Sequence, residues 1–157
     1  MAESSDGMVD VSAKDITVRT AKASGTIVVG DKAFDVVEAG TCTKGDVLAT
    51  AKVAAIQAAK STPALIPMCH PLMIEAVDVD FARDKGAKSI TVFVTVRSSG
   101  KTGVEMEALA AAAVACLTVY DMLKYVGKDM AIGPIMLLSK TGGKSGDYKR
   151  QSHNAAD

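Results

Sequence analysis

The chain has 157 residues, 48% of them hydrophobic; this is enough for one domain, residues 1–157, that buries roughly 70% of its unfolded surface without staples. Its 18 basic and 18 acidic side chains balance, and no basic tract alternates with aromatics, so nucleic acid is not an expected partner; no apolar run is read as long enough to cross a membrane. The polar start MAESSDGMVD reads as neither signal nor transit peptide, and three widely spaced cysteines, Cys42, Cys69 and Cys116, fit reduced thiols in a cytoplasm rather than a disulfide framework.

Residues 1–8 are expected to be loose. The stretch ITVRTAKASGTIVV, 16–29, is β-rich and roughly alternating, which predicts a strand. DKAFDVVEAG then suits a short helix. Residues 43–61 form an amphipathic helix with Asp46 as its cap and Val47, Ala51, Ala54, Ala55 and Ala58 on its apolar stripe. Prolines at 63, 67 and 71 predict a loop, because each removes a backbone donor. Residues 73–84 and 89–100 alternate apolar and polar and are joined by the turn DKGAK, giving a hairpin. Residues 102–127 make the strongest helix, with a Thr start, early acids, a late Lys124 and a terminal Gly127. Residues 130–140 form a last strand, and the Gly-rich tail from about 141 to 157 is expected to be mobile unless held.

The order is β-α-β-β-α-β with a small helix added after the first strand. This predicts an α+β, ferredoxin-like sandwich with both main helices on one sheet face. The other face is expected to be bare and apolar, which favours a partner.

In LIPMCHPLM, 65–73, Cys69 and His70 are adjacent. Neighbours rarely share one tetrahedral metal, and no CxxC or HxxxH supplies the remaining ligands, so no metal is expected. A Cys/His nucleophile pair usually comes from residues distant in sequence. A packed loop and a substrate pocket both remain open on local sequence. SKTGGKSGDYKR is not a phosphate-binding P-loop, since Leu138 stands where its first glycine is needed and no helix follows.

The middle of the last helix is almost uncharged, with Glu105 and Glu107 at one end and Asp121 and Lys124 at the other. At 100° per residue Glu107 and Asp121 fall nearly on one stripe, with Lys124 about 60° away. Fourteen residues at about 1.5 Å each hold the ends roughly 21 Å apart. One chain struggles to use both ends on a small molecule; a site between two chains can. Helix-dipole complementarity also accounts for these charges individually.

Taken in series, MVDVSAK, KGDVLATAKVAAIQAAK, LIPMCHPL, TGVEMEAL, VYDMLK and IGP…LLSKTGGKSGD resemble the cyclic pyranopterin monophosphate synthase family of molybdenum cofactor biosynthesis, from about residue 8 to 149. The resemblance implies a ferredoxin-like lyase, assembled as a hexameric trimer of dimers with sites at subunit interfaces. It implies conversion of a GTP-derived cyclic nucleotide triphosphate, the 3′,8-cyclic dihydro intermediate, to cyclic pyranopterin monophosphate with release of pyrophosphate. No metal or organic cofactor is implied. By position it places catalytic roles on Asp121, Lys124 and Lys44. Substrate contacts fall on Met68, Cys69, His70, Met106 and Glu107, and further charged groups on Glu105, Arg19, Lys140 and Lys144. Gly7 departs from the histidine common before MVDVS, and Met68 replaces the commoner leucine. A crowded lysine can lose its proton and act as a base. Two rivals stand beside this reading: a non-enzymatic nucleotide sensor, which would return its nucleotide unchanged, and an oligomeric scaffold, whose melting temperature no ligand would shift.

Overall fold

The computed structural model describes residues 6–152. Its elements in chain order are β1 (Thr17–Val28), α1 (Asp31–Ala39), α2 (Val47–Leu65), β2 (Ala76–Asp84), β3 (Ser89–Gly100), α3 (Glu105–Leu123), β4 (Ala131–Thr141) and β5 (Tyr148–Lys149). All pairings are antiparallel, and the sheet order is β2-β3-β1-β4-β5. Strands one to four thus have the ferredoxin-like order, with α2 and α3 packed on each other and α3 lying over β1, β3 and β4.

Alternation builds the core. Ala21, Ala23 and Ile27 of β1 and Ile90, Val92, Val94 and Val96 of β3 are buried beneath Ala108, Ala111, Ala112, Ala115 and Val119 of α3. Alanine brings the helix close to the strands, and Gly25 marks the closest crossing. A Cβ there would lie 3.0 Å from Cys116 Sγ and 3.1 Å from the Ala112 carbonyl oxygen, so only glycine fits without displacement.

The open sheet face is not the apolar surface expected. Thr26 and Thr91 pair through their hydroxyls at 2.9 Å, Lys22 lies 5.4 Å from the Phe93 ring centre, and Asp78 and Asp80 stand opposite Thr95 and Phe93. Exposed apolar side chains stand on both surfaces, at Val18 and Val28 of β1 beside these polar groups and at Val53 and Leu117 of the helices. Nor is it true that nothing resembles a membrane span. α3 passes by length and by a mean hydropathy of 1.5, yet its alanine face is the buried centre of the core.

Several boundaries also move. α2 runs through Pro63 to Leu65. In its last turn the proline removes only its own donor, Thr62 Oγ1 bonds the Ala58 carbonyl at 2.9 Å, and Ile66 N–H closes the turn on Thr62 O at 2.9 Å. Its N-terminus begins at Val47, capped by Asp46, whose carboxylate accepts from Ala49 N–H at 3.0 Å. α3 begins three residues after Thr102, behind Val104, and Lys124 rather than Gly127 ends it. In the tail, Tyr148–Lys149 pairs with Lys140 and Ser139, and Arg150 N–H bonds Leu138 O at 2.7 Å. The expectation of a mobile tail is therefore corrected as far as residue 150. Residues 1–5 and 153–157, also expected to be loose, lie outside the described residues; 6–8 are bends.

Candidate active site

The residues singled out above form two clusters, one at each end of α3. At its C-terminal end, Asp121 stands between two lysines. Lys124 Nζ lies 2.6 Å from one carboxylate oxygen, and Lys44 Nζ lies 3.5 Å from the other. Lys44 also donates to the Asp121 main-chain oxygen at 2.6 Å. The loop carrying Lys44 is pinned to the helix end by groups that sequence reasoning missed. Thr43 N–H bonds the Tyr125 hydroxyl at 3.1 Å, and Cys42 Sγ–H points to Met122 O at 3.4 Å. A tyrosine one residue past Lys124 was the available signal.

The Lys124 hydrogen bond, then the Lys124 and Lys44 charges, hold the Asp121 carboxyl below its ordinary range. Asp121 in turn raises Lys124. Among the described residues Asp121, not a crowd of cations, stands nearest Lys124, so the lysine is held protonated rather than brought closer to losing its proton.

At the N-terminal end of α3, Met68, Cys69, His70, Glu105, Met106 and Glu107 border one cleft of about 260 Å³. Val9, Lys14 and Thr102 are among its other lining residues, and none of the three was assigned a role from sequence. His70 Nε2 lies 2.7 Å from the Val9 carbonyl. A carbonyl only accepts, so this places a proton on Nε2 and leaves Nδ1 outside that contact. MVDVSAK is thereby a wall of the cleft, held also by Lys101 Nζ bonding Ser12 O at 2.8 Å.

Glu107 is 3% exposed. Burial first, and the nearby Glu105 charge, push its carboxyl up. It does not share the exposed stripe of Asp121, because a 40° offset along α3 is enough to turn it inward. Burial first, then the Glu107 charge, also raises the Cys69 thiol. This keeps it protonated and makes it a poor nucleophile.

Arg19 is 8% exposed and donates from Nε to Gly100 O at 3.0 Å. Lys140 lies 3.7 Å from Glu105 and donates to Ser145 Oγ at 2.7 Å. Lys144 borders a second cleft beside Arg19. So Arg19, Lys140 and Lys144 flank the His70 cleft, while Lys44, Asp121 and Lys124 stand apart from it at the far end of the helix.

Because Glu107 ionises less readily folded than unfolded, the folded state holds the extra proton between its ordinary value of 4.5 and the raised one. Stability therefore falls as pH rises through that window. Glu107→Gln is expected to melt higher than the parent at pH 8, by on the order of 2 °C. The gap should close near pH 4. Calorimetric melts at the two pH values check this.

A ferredoxin-like sandwich that gathers cations, a histidine and carboxylates at the two ends of one helix is an α+β protein whose chemistry suits a small anionic molecule. The MoaC family profile matches residues 8–143, nearly the whole chain, and the chain belongs to that family. MoaC proteins are an enzyme family of molybdenum cofactor biosynthesis, and that is where this chain has its role.

Proposed function

We propose that this protein is a lyase that converts 3′,8-cyclic dihydro-GTP to cyclic pyranopterin monophosphate, with release of pyrophosphate, as one catalytic domain in the cytoplasm. The observation that carries the reading is the Lys44–Asp121–Lys124 cluster, in a chain of this family. Opening a purine-derived ring requires proton delivery to departing nitrogen atoms, and a lysine held protonated beside a carboxylate suits that role. Closing the cyclic phosphate requires a ribose hydroxyl oxygen to bond the α-phosphorus. The bond to the α,β-bridging oxygen breaks, its electron pair leaves on pyrophosphate, and the hydroxyl proton passes to a base. In the neutral ring the His70 Nδ1 lone pair suits that last step, and nearby cations stabilise the leaving charge.

The reading includes an assembly. About 21 Å along α3 separates Glu107 from Asp121, too far for one small substrate to bridge within a chain. The active unit is therefore a homo-oligomer in which one chain supplies the His70 cleft and another the Asp121 cluster, and the family resemblance implies that it is a hexameric trimer of dimers. Exposed Val53 and Leu117 on the helices, with Val18 and Val28 on β1, offer apolar surface for that association.

The test is incubation of the purified protein with the cyclic nucleotide, following pyrophosphate by a coupled assay and product by chromatography. One pyrophosphate per product is expected. Recovery of the nucleotide unchanged, although bound, would make the protein a sensor instead.

A further inference from the structure

Residues 41–46, the loop that carries Lys44, bury almost nothing: Cys42 is half-buried and the others are exposed. Gly40 and Gly45 bracket Lys44 with positive main-chain angles, φ +64 and +116, and a Cβ built at either would have no neighbour within 4 Å. Packing therefore does not place this lysine; hydrogen bonds to the end of α3 do. Cys42 Sγ–H points to Met122 O at 3.4 Å, Thr43 N–H donates to the Tyr125 hydroxyl at 3.1 Å, and Lys44 Nζ donates to Asp121 O at 2.6 Å. The last of these is made across the flexible lysine stem and cannot fix its own main chain. A thiol is a weak donor. The Tyr125 bond is thus the tie that sets where the Lys44 side chain begins. Tyr125 is suited to it. The residue sits in the turn after α3, closed by Val126 N–H on Leu123 O at 2.8 Å, and Val126 packs against the core. Its rigid ring has few torsions, so the hydroxyl keeps a fixed place relative to Asp121, four residues earlier in the chain.

We propose that Tyr125 is a positioning residue for Lys44: its hydroxyl accepts from Thr43 N–H, fixes the main chain from which the lysine reaches Asp121, and so gives the second ammonium of the cluster one place relative to the substrate. Without that bond Lys44 keeps its charge and its reach but loses its fixed origin, and a misplacement of about 1 Å is enough to cost turnover. The phenol acts through the lysine and needs no contact with substrate. This rests on the function proposed above and adds to it the group that orients Lys44.

Tyr125→Phe removes the oxygen and leaves the ring. In the full-length protein, amide hydrogen exchange over residues 41–46, read by mass spectrometry, is expected to quicken at least about threefold, the worth of one lost hydrogen bond. Competitive acetylation is expected to modify Lys44 at least about twofold faster, relative to Lys52 and Lys60 of α2. With the cyclic nucleotide, kcat is expected to fall about tenfold while KM changes by less than about twofold. The same substitution in a Lys44→Ala background, followed over long incubations, separates positioning from general loosening. There it is expected to lower the residual turnover by less than about twofold, because the residue it acts through is gone. An equal fall in both backgrounds overturns the proposal. So does Tyr125→Phe with parent exchange and parent Lys44 labelling, or with parent kcat. The function is read separately: a parent that returns the nucleotide unchanged removes the lyase, and exchange and Lys44 labelling then uphold or overturn the anchor by themselves.

Discussion

Lys124→Arg is expected to lower turnover at least about a hundredfold, the usual worth of a positioned acid or base, while substrate affinity changes little. The argument starts from the 2.6 Å contact with Asp121. A lysine so held is charged in the resting protein, but its proton remains transferable once substrate draws it out of the pair. An arginine keeps the charge and cannot give up the proton. Its planar fork also matches both Asp121 oxygens, which would displace Lys44 from its 3.5 Å position. Asp121→Asn tests the same pair from the other side. The first cause of Asp121's lowered pKa is its hydrogen bond to Lys124, so the folded pair is ionised from below 3.8, the ordinary value for Asp121, to beyond 10.5, that of Lys124. The pair's contribution to stability is fully present between the two ordinary values, 3.8 and 10.5. It is lost as pH falls through the lowered Asp121 value or rises through the raised Lys124 value. With asparagine, the Lys124 value falls back and the alkaline limb of the rate profile moves to lower pH. Single-turnover rates alongside calorimetric binding decide the matter. A Lys124→Arg enzyme that turns over normally would remove Lys124 from proton transfer and leave Asp121 as the main candidate.

How much of this was legible in the chain depends on whether the cause was local. β3 occupies 89–100 as its alternation predicts, because one buried face makes register costly to shift. Asp46 caps α2 as expected because capping needs only a short polar side chain at the helix start. Pro63 misled because its penalty is local whereas the compensation is tertiary: Thr62 and Ala59 are fully buried against the rest of the fold. β5 was missed for the same reason, since YK carries no strand pattern and gains its hydrogen bonds only from the free edge of β4. For the site, the serial resemblance offered candidate residues, but not their grouping. Nothing in MVDVSAK says that the Val9 carbonyl will meet His70, and nothing in the spacing of Lys44 from Asp121, 77 residues apart, predicts their contact. The direction of the Lys124 pKa was unreadable too. It depends on which charge stands nearest, and that is a distance rather than a composition.

The separation of the two clusters yields the second large effect. His70→Ala and Lys124→Ala, each alone, are expected to leave at most about 1% of parent turnover. Co-expressed in equal amounts, they are expected to recover about a quarter of it. If each site takes its His70 cleft from one chain and its Asp121 cluster from another, the chain supplying the cleft must be the Lys124 variant. The chain supplying the cluster must be the His70 variant. With random assembly each condition holds half the time, whatever the size of the symmetric oligomer. Sites contained within one chain would recover nothing, since every chain carries a lesion. The converse mixture separates the cases again. A chain carrying both substitutions, co-expressed equally with the parent chain, leaves about a quarter of sites intact in the shared arrangement and about half in the contained one. Differently tagged chains, blotted to confirm equal incorporation and assayed for pyrophosphate release as the whole unselected population, give these fractions directly. Recovery no greater than the sum of the two single variants, together with half-retention in the converse mixture, would return the whole site to one chain. α3 would then have to deliver groups about 21 Å apart along its length to one small molecule.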